Sequence, residues 1–164
     1  MRARPTEPGT GRRAAPAIYG QILATAVVAT LSEDPDYAVT DVLTAVVVTT
    51  IVFWLAHVFA ESTARRLTMD RNIRIAEIGV VAREEGTMVL AAVPTVLVLS
   101  LAAFEAFSRN FALDLALALG IAELVGLGFL IAYRSRFRFW GTVGSILLTA
   151  SFGVVIVAMK VAVH

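Results

Sequence analysis

Five apolar stretches, at 17–31, 38–61, 87–107, 111–133 and 140–163, are separated by polar segments, three of which carry arginine. Four of them reach the roughly 20 residues that a helix needs to cross a hydrocarbon core of about 30 Å. Backbone in lipid must satisfy its own hydrogen bonds, and no stretch alternates like a barrel strand, so all five read as helices. The pattern predicts an all-α polytopic membrane protein with five transmembrane helices. Composition agrees, with 58% of the 164 residues hydrophobic and 16% charged, where soluble domains run at about 45–50% and about 25%.

The basic residues set the orientation. Arg2, Arg4, Arg12 and Arg13 precede the first stretch; Arg65, Arg66, Arg71, Arg74 and Arg83 lie between the second and third; Arg134, Arg136 and Arg138 lie between the fourth and fifth. That places 12 of the 14 basic residues on one side and leaves Arg109 and Lys160 for the other. The positive-inside rule then predicts a cytoplasmic N-terminus and an external C-terminus, in the plasma (inner) membrane. A net charge of +1 gives no basic field for nucleic acid, so the bilayer is the expected partner. The absence of cysteine excludes disulfides, thiolate metal sites and cysteine nucleophiles.

Residues 1–16 read as a basic disordered tail, with Pro16 suited to a first helical turn, and 17–164 as the membrane domain. A basic leader, a short apolar run and Ala24-Thr25-Ala26 also fit a secretory signal peptide; a retained helix is the expectation, with the same topology for the other four. Between the second and third stretches, at about 64–85, Leu67, Met69, Ile73, Ile75, Ile78 and Val81 interleave with the arginines. This suits an amphipathic helix on the cytoplasmic interface beside anionic lipid, or equally a solvated extension of the second helix.

Small residues recur every fourth position as Gly141, Ser145, Thr149 and Gly153, as Ala112, Ala116 and Gly120, and as Ala118, Ala122 and Gly126. Such ridges let helix backbones approach closely, within one bundle or between subunits. Five short helices enclose little interior, which points to a homo-oligomer.

A charge at membrane depth costs at least about 2.5–3.5 kcal/mol, so an ionisable residue there is the first functional candidate. Glu123 lies at the middle of the fourth stretch, with no cation on its own helix within reach. It reads as a proton or cation site, or as a neutral hydrogen-bond donor that fixes packing. His57 and Glu61, four residues apart, share one helical face and fit an inner proton relay or part of a divalent-metal site, although a packing role suits them as well. Glu33, Asp34, Asp36, Asp41, Glu105 and Asp114 crowd the outer side, where they form an acidic mouth that concentrates cations or simply reflect the arginine asymmetry. Pro94 predicts a kink in the third stretch. Thr142-Val143-Gly144-Ser145 echoes a potassium filter but lacks the following Tyr-Gly. No hydrolase, nucleotide-binding or metalloprotease motif is present, so there are no catalytic candidates and no enzyme is expected.

Tyr19-Gly20 at the first helix, Ala60-Glu61-Ser62 closing the second, and a charged segment before Pro94 make the chain similar to the vacuolar iron transporter family across residues 17–164. The resemblance implies a dimeric divalent-cation/proton exchanger, in which Glu77, Glu84 and Glu85 stand where that family has paired glutamates. Leu23 occupies the position of that family's first-helix aspartate, and the first two stretches lack its metal-facing methionine. The expected function is that of a proton- or cation-coupled transporter or channel, with Glu123 as the deep carboxylate. No cofactor is expected beyond a proton or divalent cation as substrate. The alternative is a non-transporting scaffold or accessory subunit that binds a membrane partner or lipid.

Overall fold

The computed structural model describes residues 9–69 and 74–134, with side chains described over 14–68 and 74–130. Five helices follow one another: α1 (Gly9–Ser32), α2 (Val39–Met69), α3 (Ile75–Glu85), α4 (Thr87–Ala103) and α5 (Arg109–Arg134). Three are long and apolar enough to cross a membrane, or up to four if α3 and α4, bent by 44° at Gly86, form one broken span. These are the helices of an integral membrane protein. The fifth apolar stretch at 140–163, with Gly141, Ser145, Thr149 and Gly153, lies outside the described residues.

The stretches and helices differ at their ends. α1 begins at Gly9, so residues 9–15 continue the helix instead of ending at a tail, and Pro16 is buried inside it. The segment at 64–85 is divided between the two readings considered for it. α2 runs on to Met69, and α3 is a separate short helix. At 31 residues α2 is about 46 Å long, more than a hydrocarbon core of about 30 Å accommodates.

Two antiparallel hairpins, α1–α2 and α4–α5, are clasped at one end. The Arg109 guanidinium donates from Nη2 to the Asp34 carbonyl at 2.8 Å and from Nε to the Tyr37 carbonyl at 3.0 Å. With their connections side by side, α1 and α4 run parallel through the centre, and both contact α2 and α5. Glycine decides how closely they approach. A Cβ on Gly20 would strike the Met88 carbonyl oxygen, so α1 and α4 meet backbone to backbone there, and one on Gly120 would strike the Thr25 hydroxyl, so the α5 backbone lies against side chains of α1.

Each helix buries a stripe at the helical repeat. Gln21, Ala24, Thr25 and Val28 face inward from α1; Val42, Val46 and Thr50 from α2; Met88, Ala92, Thr95 and Leu99 from α4; Ala112, Ala116 and Leu124 from α5. The outer faces are apolar too, with Ile51, Val52, Leu55 and Phe59 exposed on α2 and Phe129 and Leu130 on α5. Lipid solvates such faces as well as a core would, which leaves van der Waals fit between small residues to hold the helices together.

Candidate functional site

The ionisable candidates fall into three places. At the clasped end, the acidic residues serve local structure. Asp34 Oδ1 accepts the Asp36 amide at 2.9 Å, and Asp41 Oδ2 accepts the Ala38 amide at 2.9 Å, half of a capping box at the start of α2. Glu105 closes α4 in the left-handed conformation at φ 62°. Its amide donates to the Ala102 carbonyl at 2.9 Å and that of Ala106 to the Leu101 carbonyl at 3.1 Å, the two bonds of a Schellman motif. Glu33 and Asp114 have interactions of their own. The six carboxylates do gather at one end, but those of Asp34 and Asp41 are engaged with backbone.

The second place is the elbow where α2 meets α3. The Trp54 indole donates to the Ala82 carbonyl at 3.1 Å, satisfying a last-turn carbonyl of α3 and fastening it to α2. Arg65 then bridges the two helices: its Nε bonds Glu61 Oε1 at 2.8 Å and its Nη2 bonds Glu84 Oε2 at 2.6 Å. Glu85 lies within electrostatic reach of His57, Glu61, Glu84 and Arg65.

His57 and Glu61 share a face of α2, as their spacing predicts, but no hydrogen bond joins them. Glu61 turns to Arg65. His57 Nδ1 is 3.0 Å from the Phe53 carbonyl, which only accepts, so Nδ1 carries the proton and Nε2 is left for other partners. Its ring tilts against that of Tyr19 on α1, with centroids 5.3 Å apart. Among the described residues no three His, Cys, Asp or Glu side chains gather in a way that would hold a metal ion. Sequence reasoning missed Arg65 as the centre of this cluster. The Glu61–Arg65 spacing of four was legible, whereas the Glu84 partnership requires the elbow.

The third place is a groove of about 480 Å³ between α1, α4 and α5, lined by Ala17, Thr87, Leu90, Ala91, Pro94, Glu123, Gly126, Leu127 and Leu130. Glu123 is half-buried there. Among the described residues it has neither a hydrogen-bonding partner nor an ionisable neighbour within reach. Pro94, inside α4, has no amide proton, so the Leu90 carbonyl one turn earlier loses its helical donor, and both residues line the groove. Glu123 on α5 and the pair His57 and Glu61 on α2 stand on different helices of the bundle. α5 and α2 lie on opposite sides of the α1–α4 centre, and Glu123 is not among the charges that act on Glu85.

Between these places the bundle interior holds bare polar atoms. Gln21 Oε1, Thr50 Oγ1 and Thr95 Oγ1, on α1, α2 and α4, are buried with no hydrogen-bond partner among the described residues. Thr25 instead donates to the Gln21 carbonyl at 2.8 Å. No family model, curated protein or solved structure matches the chain.

Proposed function

We propose that the chain is a small polytopic membrane protein of five spans that moves protons or cations as a homo-oligomer, with Glu123 as the carboxylate that binds and releases them. The observation that carries this reading is the placement of Glu123 without a partner in an apolar groove of a span-length helix. A carboxylate so placed is costly while charged, and binding a proton or cation removes that cost. In this reading Pro94 is the point at which α4 yields when Glu123 is neutralised, and the unpartnered oxygens of Gln21, Thr50 and Thr95 line the way through the centre. His57 and the elbow carboxylates receive the ion at the arginine-rich end. That end is cytoplasmic by its arginines, so the clasped, acidic end and the C-terminus face outward, in the plasma membrane.

Proton and cation flux into liposomes that hold only the purified protein tests the reading. The native chain is expected to carry flux and Glu123→Gln to lose it while remaining folded. Undiminished flux in that variant removes Glu123 from the pathway. A correctly inserted native chain that passes no cation leaves the scaffold or accessory-subunit reading, and a co-purifying membrane partner becomes the next thing to look for.

A further inference from the structure

The groove between α1, α4 and α5 is larger than a proton or metal ion on Glu123 requires. Its volume of about 480 Å³ falls within the roughly 300–1,000 Å³ of sites that hold small organic molecules. Its lining is segregated. Glu123, Leu127 and Leu130 follow one another at the helical repeat on α5, so one acidic group lies about 10 Å along the helix from an apolar end. Leu90 and Leu130 are exposed, which opens the groove on the outer surface of the bundle, the surface that lipid solvates.

The polar groups of the groove are acceptors in want of a donor. The Glu123 carboxylate has neither a hydrogen-bonding partner nor an ionisable neighbour among the described residues. The Leu90 carbonyl has lost its helical donor to Pro94, and the Thr87 hydroxyl already donates to the Glu84 carbonyl at 3.4 Å. A donating cation completes such a set. An anion is repelled, and a neutral apolar molecule leaves the carboxylate bare at membrane depth. A metal ion takes about six or more oxygens; the carboxylate, the Leu90 carbonyl and the Thr87 hydroxyl fall short of that, and among the described residues no three metal-ligating side chains gather. An organic ammonium suits both halves of the lining, with N–H groups for charge-assisted bonds to the acceptors and hydrocarbon for the leucines.

We propose that the groove binds a lipophilic primary or secondary ammonium ion that enters from the bilayer, its head on the Glu123 carboxylate and the Leu90 carbonyl and its hydrocarbon along Leu127 and Leu130. This assignment rests on the reading of Glu123 as the ion-binding carboxylate and names its cation. A phosphatidylethanolamine headgroup has the same ammonium but carries a phosphate, which a groove with an acid and no cation repels, so the occupant is a free amine.

The test titrates n-octylammonium into phosphatidylcholine liposomes that hold the purified native chain, with protein-free liposomes as background. Saturable binding of one ammonium per chain is expected, about tenfold weaker for octanol, which has the length without the charge, and about tenfold weaker in Glu123→Gln. Pro94→Ala returns a helical donor to the Leu90 carbonyl and is expected to weaken octylammonium about threefold more than octyltrimethylammonium, which has no N–H. Gly126→Leu provides a second variant should Glu123→Gln fail to fold: its Cβ meets nothing within 4 Å among the described residues, its side chain takes up groove volume beside an intact carboxylate, and octylammonium binding is expected to fall. Octanol bound as tightly as octylammonium overturns the proposal, because the groove then selects apolar bulk alone. Glu123-dependent proton flux in a chain that binds no octylammonium also overturns it and leaves the ion-pathway reading in place. Saturable octylammonium binding without any flux upholds it and removes the transport reading.

Discussion

The elbow and the groove handle the same chemical group in opposite ways. At the elbow, Glu61 and Glu84 share one guanidinium. In the groove, Glu123 stands alone against Leu90, Leu127 and Leu130. A carboxylate with cations beside it is held in one state at neutral pH. One without them is free to alternate between states as a proton or ion arrives and leaves. Crowded charge therefore marks the part of this molecule built to stay put, and isolated charge marks the part able to change.

The largest test of that contrast is to make the groove charge permanent. Glu123→Arg introduces a charge that no proton can neutralise, at an expected cost of about 2.5–3.5 kcal/mol or more, measured as lost folded yield and a lower Tm in detergent. If the variant is as stable as the native chain, Glu123 faces water and the isolation argument fails.

Next come the backbone approaches. Gly20→Val forces a side chain against the Met88 carbonyl, an overpacking cost of about 1–3 kcal/mol, whereas a Cβ on Gly126 meets nothing within 4 Å among the described residues, and Gly126→Ala gains up to about 1 kcal/mol of helix propensity. Thermal unfolding of the two variants reads the difference directly. Equal losses would mean that the open ridge of α5 is as tightly covered as the crossing of α1 and α4.

Arg65→Ala removes both ion pairs of the elbow. Its cost is expected at about 1 kcal/mol, because the pairs are partly solvated, and it shrinks further in high salt. Urea titration at two salt concentrations shows whether the cluster is a fastener of this kind.

How much of this was readable beforehand differs by element. The inward face of α5 was legible because Ala112, Ala116 and Gly120 form a ridge that only close packing explains. Glu123 was legible because an isolated acid in a long apolar run has few meanings. The elbow was not. His57, Glu61 and Arg65 all lie on one face of α2, and spacing alone does not say which neighbour Glu61 takes. The structure pairs it with Arg65, since Glu preceding Arg by four is the favourable order on a helix and His57 Nδ1 already serves the Phe53 carbonyl. Glu84 enters only when the chain doubles back through α3, a tertiary event with no local signature. The early start of α1 runs against its local signals: Pro16 lacks a helical donor and disfavours helix in the residue before it, yet α1 continues through it back to Gly9.

The clasp at Arg109 has a consequence in time. Its two bonds join residues 72 and 75 positions apart, and at about 5–20 residues per second a ribosome takes about 4–15 s to cross that interval. For that period the α1–α2 hairpin exists with the carbonyls of Asp34 and Tyr37 held by water alone. The clasp therefore closes only once the second connection has been made.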